Sequence, residues 1–566
     1  MAVSRFTVGA DLMTDYSQLT LDILRAYLYD NKAKLSEDTL KTISGWIRSR
    51  SIPHLASCVS HFPNALSHRE TLRVLMQIEA FVKKNSVFSA PEASEVAIAS
   101  FFESEKRCRI TNRRLDHYLV QRERLAPDLN KWLIRMETYI SRTLGPLKPF
   151  LDMLPGLVRV TSGATSTRSR RVAFPHSKMS LRGVTSLSCK PLLEHLYRFY
   201  GFDAFKVRVH DWNRIETVPK NWKTDRTIAC EPEGNIPFQL AFDSYAKAKL
   251  RKRGIDLSDQ TKNQRLAIEA SENGRYATID LKAASDTVAY NTVAALFPED
   301  WFQFLCAVRS PVGKLPSGGG TVRYAKFSSM GNGTTFCIET LIFAAASYAV
   351  GSVFNSVYGD DIVIETEYVA DLLRLLRFLG FTINQDKTHI AGPFRESCGV
   401  NCFDGVDITP FYIKEWDDRK AILSHNVNGL ASICLPGGRL EDLLVSIVKR
   451  EELPLVPFNS NSTSGVFIDV RDAYTRKLLR AKHSILSFKG LVPKERKKRV
   501  AWRRAYYLWH FRVLGRSSPE HRELPVISSW VTTASHKYVR KWVHWIPPVV
   551  GTPIHLYWWS ERLLRP

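Results

Sequence analysis

Four consecutive residues, Tyr358-Gly359-Asp360-Asp361, constrain this chain more than any other stretch. Strand-like runs flank them, Val353-Phe354-Asn355-Ser356-Val357 before and Ile362-Val363-Ile364 after, and Gly accepts the positive φ that a tight hairpin turn demands. The pattern predicts a β-hairpin with Asp360 and Asp361 at its tip. Neighbouring carboxylates repel, and burying them in a cleft is costly unless a proton or cation compensates. A divalent metal is the natural partner, whereas an isolated Asp pair elsewhere would read as a solvated turn.

A chain of 566 residues can bury a large core and divides into several domains or subdomains. Its 80 Lys and Arg against 56 Asp and Glu leave a net charge of +24, which favours a polyanion and nucleic acid first. The excess is concentrated: residues 471–566 hold 21 Lys or Arg and 5 Asp or Glu, two-thirds of the surplus in about a sixth of the chain. Nine cysteines without a C-x-x-C pair argue against a zinc framework or a disulfide scaffold. Cys398 and Cys402, the closest pair, read as buried thiols. Met1-Ala2-Val3-Ser4-Arg5-Phe6 carries no apolar leader, and no apolar run reaches the roughly 18 residues of a membrane span. A cytosolic, non-membrane protein is expected.

Apolar residues recur at helical spacing from 15 to 160, as in Leu19-Thr20-Leu21-Asp22-Ile23-Leu24. Residues 161–175 are small, polar and basic and read as a mobile loop, with Arg168, Arg170 and Arg171 either touching phosphates or merely solvated. In Val218-Pro219-Lys220-Asn221-Trp222-Lys223-Thr224-Asp225-Arg226, cations recur every three residues. Such a cluster can bind a triphosphate, with Arg forking onto oxygens and Lys acting as a point charge, although most charge runs are solvated faces. Tyr276-Ala277-Thr278-Ile279-Asp280-Leu281 reads as a strand ending near Asp280, and Ser285 or Asp286 is placed to cap a helix continuing through Ala294. Ser328-Ser329-Met330-Gly331-Asn332-Gly333 precedes a long apolar helix and makes a pliant loop whose backbone, at Gly331 above all, can approach a nucleotide or template.

In order along the chain come the basic loop, the strand-end Asp280, the Gly-Ser loop, the Asp360-Asp361 hairpin, Asn384-Gln385-Asp386-Lys387-Thr388 and Pro393-Phe394-Arg395-Glu396-Ser397-Cys398-Gly399. That is the motif order of a nucleic-acid polymerase palm. Over about residues 210–415 these segments, with Gly254-Ile255-Asp256-Leu257-Ser258-Asp259-Gln260-Thr261 and Val406-Asp407-Ile408-Thr409-Pro410-Phe411-Tyr412-Ile413, resemble the replicase β-subunit of single-stranded RNA bacteriophages.

The resemblance implies an α+β right-hand polymerase. Its expected parts are a mostly helical N-terminal region with part of the fingers (1–205), fingers with the basic loop (206–275), a palm (276–415), and a thumb with a basic, Trp-rich C-terminal region (416–566). It implies RNA-directed RNA synthesis from NTPs on an RNA template, with two Mg²⁺ ions, or Mn²⁺ as a substitute, held by Asp280, Asp360 and Asp361. Lys220, Lys223 and Arg226 would hold the triphosphate. Lys387 resembles the lysine that protonates pyrophosphate, a surface lysine being the alternative, and Arg395 and Ser397 would belong to the RNA-binding loop that grips the growing 3′ end. Where deoxyribonucleotide polymerases carry an aromatic gate, Ala283-Ala284 leaves room for a 2′-hydroxyl, which Asp286 would accept with Ser329 or Asn332. Host elongation factors Tu and Ts, a ribosomal RNA-binding protein and the bacterial cytoplasm follow from the resemblance alone. Reverse transcriptase and a non-catalytic RNA-binding protein are the competing readings.

Seven of the 13 Trp lie after residue 500, interleaved with Lys and Arg. RNA binding, or a thumb whose Trp are core and whose cations face water, fit equally well. A membrane-surface role for Leu556-Tyr557-Trp558-Trp559 is the weakest reading. Asn459-Ser460-Asn461-Ser462-Thr463-Ser464-Gly465 reads as a flexible joint.

Overall fold

The computed structural model describes residues 15–170, 172–173, 178, 183–199, 206–354, 356–482, 485–501, 528–546 and 553–564. The readings of residues 1–6, of Arg171 and of the basic run at 502–504 lie outside them. Helices and mostly antiparallel sheets make an α+β fold.

Helices form where the spacing predicts them: α1 (Tyr16–Asp30), α2 (Arg69–Lys83), α3 (Ala93–Val120) and α4 (Pro127–Leu144). Asp15 caps α1 by accepting the Gln18 N–H at 3.0 Å, and Pro127 opens α4, where its missing N–H costs nothing. Farther on lie α5 (Thr261–Asn273), α6 (Thr335–Val350), α7 (Lys420–Ala431), α8 (Arg439–Arg450) and α9 (Ile554–Leu564). Helix α6 is apolar on nearly every side, and it is buried accordingly against α4.

Two large cores organise the chain. One gathers α4, α6 and much of the stretch from Phe238 to Phe381 around Trp301 and Phe343. The other joins Leu21, Ile47 and Phe81 of the N-terminal helices to Val427, Leu444, Ile468 and Trp559. The N-terminal helices thus pack with the C-terminal third, so the expected 1–205 unit is shared between two cores. The 459–465 segment is no free joint either: Ser464 is buried and its carbonyl accepts the Leu491 N–H at 2.8 Å.

The strands that position the site are β1 (Trp212–Pro219), β2 (Asp225–Cys230), β3 (Tyr276–Ile279), β4 (Val312–Lys314), β5 (Thr321–Arg323), β6 (Ser356–Tyr358), β7 (Asp361–Glu365), β8 (Phe394–Ser397) and β9 (Val400–Phe403). Beyond them a three-stranded sheet is built from β10 (Leu479–Lys482), β11 (Ile485–Ala501) and β12 (Ser528–Trp545). Strand order is β3-β7-β6 in the central sheet and β2-β1-β4-β5 in the sheet beside it.

One expected helix is broken. A single turn, Ala284–Thr287, stops at Val288, and a second helix runs Tyr290–Leu296. Residues 325–327 cause the break: Phe327 N–H donates to the Val288 carbonyl at 2.8 Å and Tyr290 N–H to that of Ala325 at 3.1 Å. Neither Ser285 nor Asp286 caps the turn; Ala283 precedes it at φ 52°.

All nine cysteines are free thiols, Cys402 buried and Cys398 partly so. Among the described residues no helix is long and apolar enough to cross a membrane.

Candidate functional site

Tyr358 of β6 pairs with Asp361 of β7, leaving Gly359 and Asp360 as a two-residue turn with positive φ (60°) at Gly359 only, the pattern of a type II′ hairpin. A Cβ on Gly359 would lie 2.5 Å from the Phe336 ring, so this position requires Gly for space as well as for φ. On its other edge β7 pairs antiparallel with β3, Ile362 opposite Ile279. Continued by one residue, that register sets Asp361 across from Asp280. Three acidic residues from two segments 80 residues apart therefore meet at one end of the central sheet.

The three are half-buried and feel one another. Burial pushes the Asp361 carboxyl up, against the Cys398 N–H that donates to its Oδ1 at 3.1 Å, and the charges of Asp360 and Asp280 help carry it to about 6. Burial also raises Asp280, although Lys387 and Asn384 pull the other way. Lys387 Nζ lies 3.4 Å from Asp280 Oδ2 and 2.7 Å from Glu396 Oε1. Burial works against its charge, but Glu396 and Asp280 outweigh burial, so the ammonium is held firmly protonated. Asn384 Nδ2 reaches Asp280 Oδ1 at 3.3 Å.

Among the described residues no group of three or more His, Cys, Asp or Glu is arranged to hold an ion unaided. The donors nevertheless fit Mg²⁺, which takes one or two carboxylates and completes its shell with water and substrate oxygens. Carboxyls whose pKa is raised by burial and by each other's charge are groups a cation would relieve.

Lys220 and Arg226 flank the turn of the β1–β2 hairpin, where Val218 pairs with Arg226. Burial, then Arg226, lowers the Lys220 pKa, and Asp286, Lys387 and Asp280 all act on it, so the basic loop lies beside the carboxylates. Asn221 shapes the turn by accepting the N–H groups of Lys223 and Thr224 at 3.0 and 2.9 Å. Lys223 is exposed at the tip and makes no ion pair among the described residues.

Other expected contacts are engaged elsewhere. Arg395 is fully buried, and its guanidinium donates to the carbonyls of Tyr276 (3.0 Å), Gly392 (2.7 Å) and Phe394 (2.8 Å), so it braces β8 against β3 instead of reaching a 3′ end. Ser397 is buried within 3.5 Å of Asn263. Asn332 turns inward, its Oδ1 accepting both the N–H and the hydroxyl of Thr334, which removes it from a ribose. Gly331, at φ 106°, lies against β2 so tightly that a Cβ would meet the Ala229 carbonyl at 2.4 Å; its freedom serves this packing. Ser329 is not engaged elsewhere: it is buried, its carbonyl accepts the Thr335 hydroxyl, and its own hydroxyl has no hydrogen-bond partner among the described residues. Asp286 gives Oδ1 to Lys326 at 2.7 Å, a lysine with no exposed surface under the Phe101 ring and 3.9 Å from Glu105. Arg168 pairs with the buried Glu233 at 2.8 Å while part of its side chain stays in solvent.

Several residues at the site carry no sequence signal of their own. Glu339, on α6 beneath the hairpin turn, accepts the Ser285 hydroxyl at 2.5 Å; burial, and then the neighbouring charge of Asp360, pushes it up to about 8. Asn263 of α5 ties the hairpin together, accepting from Ser356 Oγ at 2.7 Å and donating to the Asp361 carbonyl at 3.1 Å. Next to it, Gln264 donates to the Cys398 carbonyl at 3.1 Å. The 254–261 motif quoted from the sequence leads directly into this pair.

The family model "RNA replicase, beta-chain" matches residues 26–428. The chain is 37% identical over 375 residues to the RNA-directed RNA polymerase subunit beta of Escherichia virus Qbeta, covering 63% of this chain and 62% of that one. It is 37% identical over 332 residues to the RNA-directed RNA polymerase beta chain of Escherichia phage MS2, covering 56% and 60%. The chain spans about three-fifths of the length of these curated relatives. Among solved structures it is similar to the BmCPV RNA-dependent RNA polymerase at elongation state, with a TM-score of 0.37 and 10% identity over 57% of this chain and 33% of that one.

Proposed function

Because the chain belongs to the RNA replicase β-chain family, we propose that it is an RNA-directed RNA polymerase that copies a viral single-stranded RNA genome. The palm is 276–415, the fingers are 206–275 with part of the region up to 205, and the thumb lies within 416–566. One observation supports the reading most: the β3–β7 register that sets Asp361 across from Asp280 beside the Asp360 turn.

In this reading the 3′-hydroxyl of the growing strand attacks the α-phosphate of an NTP, losing its proton to solvent, forming a phosphodiester and breaking the bond to pyrophosphate. Phosphoryl transfer of this kind needs in-line positioning and neutralised charge more than covalent help. Asp280, Asp360 and Asp361 would hold two Mg²⁺ ions, or Mn²⁺ in their place, which when bound sharpen the nucleophile and stabilise the leaving oxygens. Lys220 and Arg226 attract and orient the triphosphate, with Lys223 on the approach. Lys387, held protonated beside Asp280, gives a proton to the departing pyrophosphate. Asp286, fixed through Oδ1 by Lys326, keeps Oδ2 to accept a ribose 2′-hydroxyl. Host elongation factors Tu and Ts and a ribosomal RNA-binding protein are the proposed partners, in the cytoplasm of a bacterial host.

The test is an incorporation assay with purified protein, defined RNA template, Mg²⁺ and either NTPs or dNTPs, with the host factors added. NTP incorporation is expected, and Asp360→Asn abolishes it while leaving RNA affinity intact. Undiminished incorporation by Asp360→Asn overturns the mechanism, and equal use of dNTPs overturns the sugar assignment.

A further inference from the structure

The β10-β11-β12 sheet lies beyond residues 26–428, where the family match ends. At its base Leu486, Phe488, Val543 and Trp545 alternate onto one face and close over Val456 and Phe467, with Trp545 Nε1 donating to the Phe458 carbonyl at 2.9 Å. Strand alternation sends their neighbours to the opposite face. There Ser487 pairs with His544, Lys489 with Trp542, Leu491 with Arg540 and Pro493 with Tyr538, while Arg480 stands opposite Ser487 on the third strand.

Among the described residues this second face is largely open, with Tyr538 half-buried in reach of Arg419. Lys489, Arg540, Trp542 and His544 are exposed, Trp542 by 50%, and Arg480 lies over the Trp542 ring at 5.6 Å. Residues 479–482, 485–493 and 537–546 contain no Asp or Glu. Along β12 the order is aromatic, cation, aromatic: Tyr538, Arg540 and Trp542, with the two rings about 13 Å apart at strand rise. Trp542 and Tyr538 offer rings on which a base can stack, and an array of cations without acids has a polyanion as its complement.

We propose that this face is a binding platform for single-stranded RNA, remote in sequence from the catalytic carboxylates, with bases stacking on Trp542 and Tyr538 and phosphates held by Arg540, Lys489 and Arg480. It rests on the reading that the protein works on RNA. A single strand is the fit because duplex bases are already stacked on one another and offer no free face to a ring.

Full-length protein and a short, unstructured, 4-thiouridine-labelled RNA test it, read by fluorescence anisotropy over a salt series and by mapping of photocrosslinks. Crosslinks are expected in the peptide containing residues 537–542, and Trp542→Ala weakens binding about tenfold, with Trp542→Phe restoring most of it. Arg540→Gln with Lys489→Gln lowers the salt slope by about 0.7 for each phosphate left without its cation. Incorporation at saturating template is unchanged in these variants, which separates failure of the platform from failure of the polymerase assignment. Absence of crosslinks to this peptide, parental affinity and salt slope in the variants, or a loss confined to duplex RNA overturns the proposal.

Discussion

Replacing Arg395 by Met keeps the length and apolar stem of the side chain and removes the fork, which makes it a direct test of what this arginine does. Its guanidinium is fully buried and gives three bonds of 3.0 Å or less to backbone carbonyls, one at the start of β3 and two on the segment entering or within β8. At about 1–1.5 kcal/mol net for each bond, the loss comes to about 3–4.5 kcal/mol, with the orphaned carbonyls adding to it and the relief of a buried charge subtracting. Burial lowers the Arg395 pKa, which is the sense such a relief requires. Denaturant titration followed by circular dichroism checks it. Arg395→Met should unfold at clearly lower denaturant, while the folded fraction binds RNA as the parent does. An unchanged unfolding midpoint combined with a large loss of RNA affinity would refute the structural role and restore the 3′-end contact expected from sequence.

Two further outcomes follow from neighbouring residues. Asn263→Ala leaves the Ser356 hydroxyl and the Asp361 carbonyl without their partner, so stability should drop by about 2–3 kcal/mol and incorporation should fall more than RNA affinity does; a fall in RNA affinity alone argues against a hairpin-positioning role. Glu339, pushed up to about 8 from an ordinary 4.5 by burial, binds a proton in the folded protein that the unfolded chain has released. Stability from this group is therefore full below about pH 4.5 and is lost as pH rises through 8, and Glu339→Gln should flatten that part of the stability profile; an unaltered slope counts against the assignment.

How much of this could be read in advance depended on whether a residue's partners were local. Asp360 and Asp361 were legible because the turn, its Gly and the flanking alternation lie within a dozen residues, and the α6 helix because its apolar run is continuous. Lys326 and Glu105 were not: each looks like a surface charge until segments some 220 residues apart close around it, and the pairing of Lys326 with Asp286, itself expected to meet a ribose, was equally hidden. Arg395 and Asn332 sit inside recognisable motifs, and the motif says nothing about which way a side chain turns; both turn inward to satisfy backbone groups. The helix after Asp280 breaks because strand-like pairing with 325–327 outcompetes local helical preference. In the C-terminal tail the core reading holds for Trp545 and Trp559, whereas Trp542 and Trp558 remain half exposed.

The core that joins Leu21, Ile47 and Phe81 to Val427, Leu444 and Trp559 has a consequence for biosynthesis. Emerging from the ribosome first, the N-terminal helices present an apolar flank whose counterpart has yet to be translated. Some 330 residues separate Val82 from Ile413, and at roughly 5–20 residues per second the wait is on the order of 20 to 70 seconds. Throughout that interval the nascent chain displays a sticky surface, and residues 16–83 expressed without 413–563 should aggregate.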